Sequence, residues 1–186
     1  MINDKVGVMP TDTIYGLCAS AFSKQAVGRI YELKGRQTNK PMIVLISSPE
    51  DLKLFNIKQN QKQNEILSRL WPGKISIVLQ CKNKKFDYLT RGTNTLAFRL
   101  PSKKSLLKIL MKTGPLVSSS VNIEGKAPAK NIQEAKEYFG TRVDYYIDGG
   151  EMRSKPSTLI SIVGDTFYLL RKGGSKIPKN SVKYFV

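Results

Sequence analysis

At 186 residues, with 31 Lys+Arg against 14 Asp+Glu and no histidine, the chain carries a formal net charge of +17. The length suits one domain spanning 1–186 that buries a core without metals or disulfides, and 40% apolar with 24% charged residues is a globular balance rather than a disordered or membrane one. The missing histidine removes Ser–His and Cys–His catalysis and ordinary zinc chemistry, and Cys18 and Cys81 form no CxxC pair, so both are expected as buried free thiols.

The charge is spread evenly, with 15 basic and 7 acidic residues up to position 93 and 16 and 7 after it. No basic tail carries it, so it belongs to the folded body, either as a lysine-rich solvated surface or as a face for polyanions. No apolar run reaches the roughly 20 residues of a spanning helix. The start, MINDKVGVMP, lacks the apolar core of a secretion signal. A cytoplasmic protein with no membrane partner is expected.

In chain order, a strand is expected over Val6 to Pro10, leading into PTDTIYGL at 10–17, where hydroxyl groups gather as the strand leaves the core. A helix follows over Lys24 to Lys34, with Val27, Ile30 and Tyr31 on one face, and Gly35 suits the left-handed position past its end. Lys34 reads singly as a helix-dipole partner and Arg36 as a solvated loop cation. Together, before the strand Met42 to Ile46, they place an ammonium and a planar guanidinium at the sheet edge, which suits phosphate. Next come a helix over Gln61 to Leu70 stopped by Trp71, Pro72 and Gly73, strands over Ile75 to Cys81 and Leu96 to Leu100, and a helix over Lys103 to Lys112.

The strand Leu116 to Ser119 runs into a polar stretch in which Ser118, Ser120 and Asn122 share a side. It reads as an ordinary turn or as a row of neutral donors and acceptors at a strand's end. Asn131 and Glu134 form a capping-box pattern for a helix to Phe139. Strands over Tyr145 to Ile147, Thr158 to Val163 and Phe167 to Leu170 complete the pattern. Alternating strands and helices argue an α/β or α+β domain, and no linker, repeat or low-complexity segment marks a second one. Neither a GxxxxGK[ST] loop nor a GxGxxG turn occurs, so a nucleotide site here must be unconventional.

The fragments PTDTIYGL, LKGR, NKPMIVL, WPGKISIVL, LAFRLP, SSSVNIEG, DGG, PSTLI and LLRKG resemble, in order and spacing over almost the whole chain, the threonylcarbamoyl-adenylate synthases, or YrdC-like domain. The resemblance implies a twisted mixed β-sheet flanked by helices with a concave basic cavity. It implies an enzyme that condenses L-threonine, bicarbonate and ATP into threonylcarbamoyl-AMP and pyrophosphate, with Mg2+ accompanying the phosphates. A downstream transferase complex then modifies adenosine 37 of tRNA to N6-threonylcarbamoyladenosine.

By the same resemblance the KxR–SxN tetrad, Lys34, Arg36, Ser120 and Asn122, holds the nucleotide phosphates and is the catalytic set, with Ser118 beside it. Cations there match the roughly four negative charges of ATP and the charge developing on pyrophosphate. Lys34→Ala or Arg36→Ala is then expected to lower turnover with little change in stability. Thr11, Thr13 and Tyr15 line the threonine and bicarbonate pocket, Arg99 takes the threonine carboxylate, and Ser157, Thr158 and Arg171 resemble further substrate or nucleotide contacts. Thr158 reads equally as a strand residue, Arg171 as a surface cation and Tyr15 as a core aromatic with a wet tip. Asp12 reads as a turn or capping residue rather than a general base.

The sequence departs from the family pattern at Gln37, where proline is frequent, and at Glu124, where serine is frequent. Only nine residues precede Pro10, so one edge of the domain is expected to be trimmed, and no additional C-terminal domain is expected. The alternative is a non-catalytic double-stranded RNA or ribosome-associated binding module using the +17 surface. RNA binding needs dispersed lysines, whereas the hydroxyl cluster and the tetrad together need an enzyme. Any tRNA or duplex RNA binding driven by this charge should weaken steeply with salt.

Overall fold

The computed structural model describes residues 4–35, 41–163, 166–177 and, as backbone, 182–184. In chain order the elements are β1 Gly7–Pro10, β2 Tyr15–Ser20, α1 Lys24–Lys34, β3 Ile43–Leu45, α2 Gln61–Leu70, β4 Ile75–Gln80, α3 Asp87–Thr90, β5 Thr95–Arg99, α4 Lys104–Thr113, β6 Leu116–Ser120, α5 Ile132–Phe139, β7 Tyr145–Tyr146, β8 Thr158–Val163, β9 Thr166–Arg171 and β10 Val182–Tyr184. Among the described residues the strands form one ten-stranded sheet in the order β10-β9-β8-β4-β5-β3-β6-β2-β1-β7. It is mixed: β3 pairs parallel with β5 and antiparallel with β6, and β4 pairs antiparallel with β5 and parallel with β8. The expected α/β class with a twisted mixed sheet flanked by helices is the one observed.

The expected helices form because their apolar positions recur at helical spacing and their ends are capped. Ser23 Oγ accepts from Ala26 N (3.0 Å) at the start of α1, and Gly35 closes it at φ 57°. Asn131 Oδ1 accepts from Glu134 N (2.9 Å) to start α5. Strands β2 and β10 and the short helix α3 escaped the sequence reading. After Pro10 the chain turns through 11–14 and returns as β2, antiparallel to β1 with Pro10 opposite Tyr15. Two short 3-10 turns, Pro49–Phe55 and Lys84–Phe86, also escaped it. They seat Phe55 and Phe86 against each other (centroids 5.2 Å apart), with Phe98 5.1 Å from Phe55.

Strand alternation divides the core between the two faces of the sheet. Val8, Leu17, Val44 and Val117 belong to the main hydrophobic cluster, while Met9, Cys18, Leu45 and Leu116 pack on the other face beneath Leu106 and Leu110 of α4. Each fully buried side chain of this size contributes about 1.5–3 kcal/mol. Beyond the patch that α4 caps, the same face carries the polar residues Arg99, Ser118 and Ser120. That polar remainder is the wall of the cavity described below.

At the far side of the sheet, the segment after β9 crosses the start of β8 at close range. A Cβ on Gly173 would lie 2.3 Å from Pro156 O and 2.4 Å from Thr158 N, whereas one on Gly174 would come no closer than 3.5 Å to any neighbour. Gly173→Ala is therefore expected to destabilise by about 1–3 kcal/mol, the cost of overpacking against backbone, and Gly174→Ala far less. Urea unfolding midpoints of the two variants check this.

Candidate active site

One cavity, of about 220 Å³, collects most of the expected site residues: Thr11, Thr13, Tyr15, Arg99, Ser118, Ser120, Ser157 and Arg171 all line it. Ser119 completes a set of seven hydroxyl-bearing residues and two arginines, with Ile43, Ala97 and Leu159 among the apolar lining, and among the described residues no carboxylate lines it. The expected site residues among them come from five places in the chain: the β1–β2 turn, the end of β5, the end of β6, the start of β8 and the end of β9. Lys34, Asn122 and Thr158 do not line it. Arg36 and Gln37 lie outside the described residues.

In the β1–β2 turn, Thr11 Oγ1 donates its one proton to Ile14 O (2.6 Å) and accepts from Thr13 N (3.1 Å). The 3.1 Å contact between the two threonine hydroxyls therefore has Thr13 as donor. This leaves lone pairs on Thr13 Oγ1, an acceptor at the cavity wall. Tyr15 Oη donates to Gly150 O (2.8 Å), with Asp148 Oδ1 at 3.2 Å, and accepts from Gly149 N (2.8 Å). Its hydroxyl ties the 148–150 loop to β2. Gly16 keeps the floor open, because a Cβ there would stand 2.6 Å from Ser118 Oγ and 2.9 Å from Cys18 Sγ. Burial pushes the Cys18 thiol up to about 11, so it stays protonated at neutral pH.

Arg99 is 3% exposed, and its Nη2 lies 3.1 Å from Asp12 Oδ1. The contact is an ion pair without hydrogen-bond alignment: both Asp12 oxygens and Arg99 Nε are buried without a hydrogen-bond partner. Burial lowers the pKa of the guanidinium, and the Asp12 carboxylate opposes that shift. Asp12 is thus the counter-ion of a cavity arginine, a role the sequence reading missed. Eighty-seven positions separate the two residues, and no local pattern announces the contact.

Across the cavity, Arg171 donates through Nη2 to Ser157 O (3.0 Å) and Oγ (3.2 Å), and Ser157 Oγ lies 2.8 Å from Ser76 Oγ. A register shift between Leu159 and Ile160, where β8 pairs with β9, puts Arg171 opposite Leu159 and Leu169 opposite Ile160. Such bulges re-aim side chains. Here the shift brings Arg171 to the face of Ser157 and Leu159, while Thr158 stands on the other face, donating to Ser175 O (2.7 Å) and accepting from Gly173 N (3.1 Å).

Lys34 sits beside the cavity, not in it. At 2% exposure its Nζ donates to Ser120 O (2.5 Å), Asn122 O (2.7 Å) and Asn122 Oδ1 (2.9 Å). Asn122 Oδ1 also accepts from Ser120 Oγ (2.6 Å), and Nδ2 donates to Ile123 O and Lys126 O (2.9 and 2.8 Å). The Glu124 amide donates to Lys34 O (2.8 Å), joining the same knot. The expectation that loss of Lys34 leaves stability unchanged is therefore corrected: its ammonium is a buried tie. The helical spacing Val27, Ile30, Tyr31, Lys34 is the sequence signal that could have shown it.

With this geometry in place, comparison with known proteins is decisive for kinship. Residues 1–173 match the Sua5/YciO/YrdC family model, described as "Telomere recombination". The chain belongs to this family. A threonylcarbamoyl-AMP synthase of Pyrococcus abyssi is 34% identical over 172 residues, 91% of this chain and 51% of that protein. The Bacillus subtilis threonylcarbamoyl-AMP synthase is 32% identical over 174 residues, 92% of this chain and 50% of that one. The crystal structure of Pyrococcus abyssi Sua5 complexed with L-threonine superposes with a TM-score of 0.84 at 34% identity, covering 92% of this chain and 51% of that one. The chain thus spans about half the length of these Sua5/YciO/YrdC relatives.

Lys34→Met is expected to lower stability by about 3 kcal/mol, since three buried oxygens lose a charged donor, whereas Lys24→Met at the exposed start of α1 should stay within about 0.5 kcal/mol. Urea denaturation of both variants is the measurement.

Proposed function

We propose that this chain is an L-threonylcarbamoyladenylate synthase: L-threonine, bicarbonate and ATP give threonylcarbamoyl-AMP, pyrophosphate and water, and a transferase complex then uses the adenylate to modify tRNA in the cytoplasm. The observation that carries the reading is the convergence of Arg99, Arg171 and seven hydroxyl-bearing residues on one cavity, with no carboxylate among its described lining residues. The names of the two synthase relatives and the L-threonine complex of the Pyrococcus abyssi protein support it. In this reading residues 1–186 act as one catalytic unit.

Arg99 is assigned to the threonine carboxylate, through the guanidinium edge not facing Asp12. The lone pairs of Thr13 Oγ1 suit the amino acid's ammonium or hydroxyl. Arg171 and the Ser118 and Ser120 hydroxyls are assigned to the bicarbonate-derived carboxylate and the α-phosphate, where negative charge develops as pyrophosphate leaves. Lys34 and Asn122 act through the Ser120 loop that they hold.

At about 220 Å³ the cavity is smaller than the roughly 300–1,000 Å³ of drug-sized ligand sites. It suits threonine and bicarbonate, and the nucleotide extends outside it. Among the described residues no three His, Cys, Asp or Glu side chains gather as metal ligands. The metal is assigned to the phosphates of its ATP complex. Among the described residues no helix is long and apolar enough to cross a membrane.

The binding-module alternative accounts for the +17 charge but gives no reason for a buried Arg99–Asp12 pair behind a wall of hydroxyls. The deciding experiment supplies ATP and magnesium to the purified chain and follows pyrophosphate together with the mass of the adenylate. Product is expected only when L-threonine and bicarbonate are both present, with L-serine poorer by about 10–200-fold, the scale of one methyl in a fitted pocket. Folded protein that forms no threonine-dependent product in bicarbonate-supplied buffer would overturn the assignment.

A further inference from the structure

On the other side of β8 lies a second cavity, of about 920 Å³, whose lining includes Lys74, Lys155, Lys172 and Lys176 and, among the described residues, no acidic one. The two cavities stand back to back. Ser157 and Arg171 line the first, while their chain neighbours Thr158 and Lys172 line the second. The second is stitched together through Thr158. Its amide donates to Lys74 O (3.0 Å), its hydroxyl donates to Ser175 O (2.7 Å), and it accepts from Gly173 N (3.1 Å). Gly174 N adds a bond to Pro156 O (2.9 Å). These bonds join the backbone segments that bear the four lysines, and no carboxylate is among the described lining residues.

We propose that this second cavity binds a small ligand carrying two or more linked phosphates, a nucleoside polyphosphate or a free polyphosphate chain. Clustered ammonium groups around a concave space favour closely spaced negative charges far more than a single monovalent anion. Its volume falls in the range of small-molecule sites. Leu169 and Ile177 in its lining offer an apolar surface for a nucleoside. The site is separate from the threonine cavity, and the proposal does not depend on the reaction assigned there.

The test titrates tripolyphosphate and, separately, ATP into ¹⁵N-labelled protein, following the amides of Gly173, Gly174 and Ser175, with affinities from calorimetry. Wild type is expected to shift these amides saturably. Lys155→Gln/Lys172→Gln should weaken the event by about tenfold, the scale of two exposed charge contacts, with thermal unfolding unchanged because both side chains are exposed. Lys104→Gln/Lys108→Gln on the distant α4 should change it less than about twofold, and Lys176→Gln alone is the second variant should the first fail to fold. Equal affinity for the two ligands would identify the phosphate chain as what is read; tighter ATP binding with shifted Leu169 methyls would identify a nucleoside polyphosphate. Unmoved amides, or equal losses in the two double variants, would overturn the proposal. So would a short RNA duplex that binds these amides more tightly than tripolyphosphate, since the surface would then serve nucleic acid.

Discussion

A lysine ammonium can be buried only if its protons find oxygen partners, because an unpaired charge in a protein interior costs several kcal/mol. Lys34 meets that condition against Ser120 O, Asn122 O and Asn122 Oδ1. The consequence is geometric: the last turn of α1 and the exit of β6, 86 positions apart in the chain, are held at hydrogen-bond distance. Gly35 lets the chain leave α1 immediately after the lysine, at a φ of 57° that other residues adopt at a cost. Ser120, bonded to the same asparagine, is thereby fixed at the cavity wall. Much of the site's geometry descends from this tie.

The second constraint is the unequal cover of the sheet. One face carries the main hydrophobic cluster, and on the other Leu106 and Leu110 of α4 cover a smaller apolar patch. Strand periodicity forces Arg99 to the face of Leu45, and Ser118 and Ser120 to the face of Leu116. Polar side chains there need either partners or a ligand. Arg99 takes Asp12, Ser120 takes Asn122 and Ser157 takes Ser76 and Arg171. The cavity wall is thus internally satisfied at most points. What these pairings leave over for a ligand includes the lone pairs of Thr13.

How much of this was legible in the sequence depends on the range of the interaction responsible. Helices α1, α2 and α5 were readable because periodicity and capping are local, and their ends fell within a residue of those expected. Strand β2 was not: TDTIYGL contains turn formers and a glycine, and only its pairing with β1 and β6 makes Tyr15–Ser20 a strand. Thr11, Thr13, Ser118, Ser120 and Arg99 were named from motifs, and the structure brings them to one cavity. Strand alternation alone puts Ser157 and Thr158 on opposite faces, yet the motif PSTLI groups them as neighbours. The orientation of Arg171 was beyond a simple alternation count, since it follows from a register shift in the pairing of β8 with β9.

The Asp12–Arg99 pair shows why residue type alone misleads about a cation's strength. A buried ion pair is seldom a net source of stability, since desolvation offsets most of the attraction. Here the pair lacks even the hydrogen-bond alignment that would improve it. Its value lies elsewhere: with Asp12 behind it, Arg99 can remain charged at 3% exposure without drawing water or a stray anion into the cavity to compensate it. A ligand carboxylate must then be recognised by the shape of the remaining guanidinium edge and the hydroxyls around it, because the bare charge has already been met. That separates the first cavity from the second, where four lysines face a larger space with no carboxylate among the described lining residues. One wall reads geometry and the other reads charge density, and a single strand, β8, divides them.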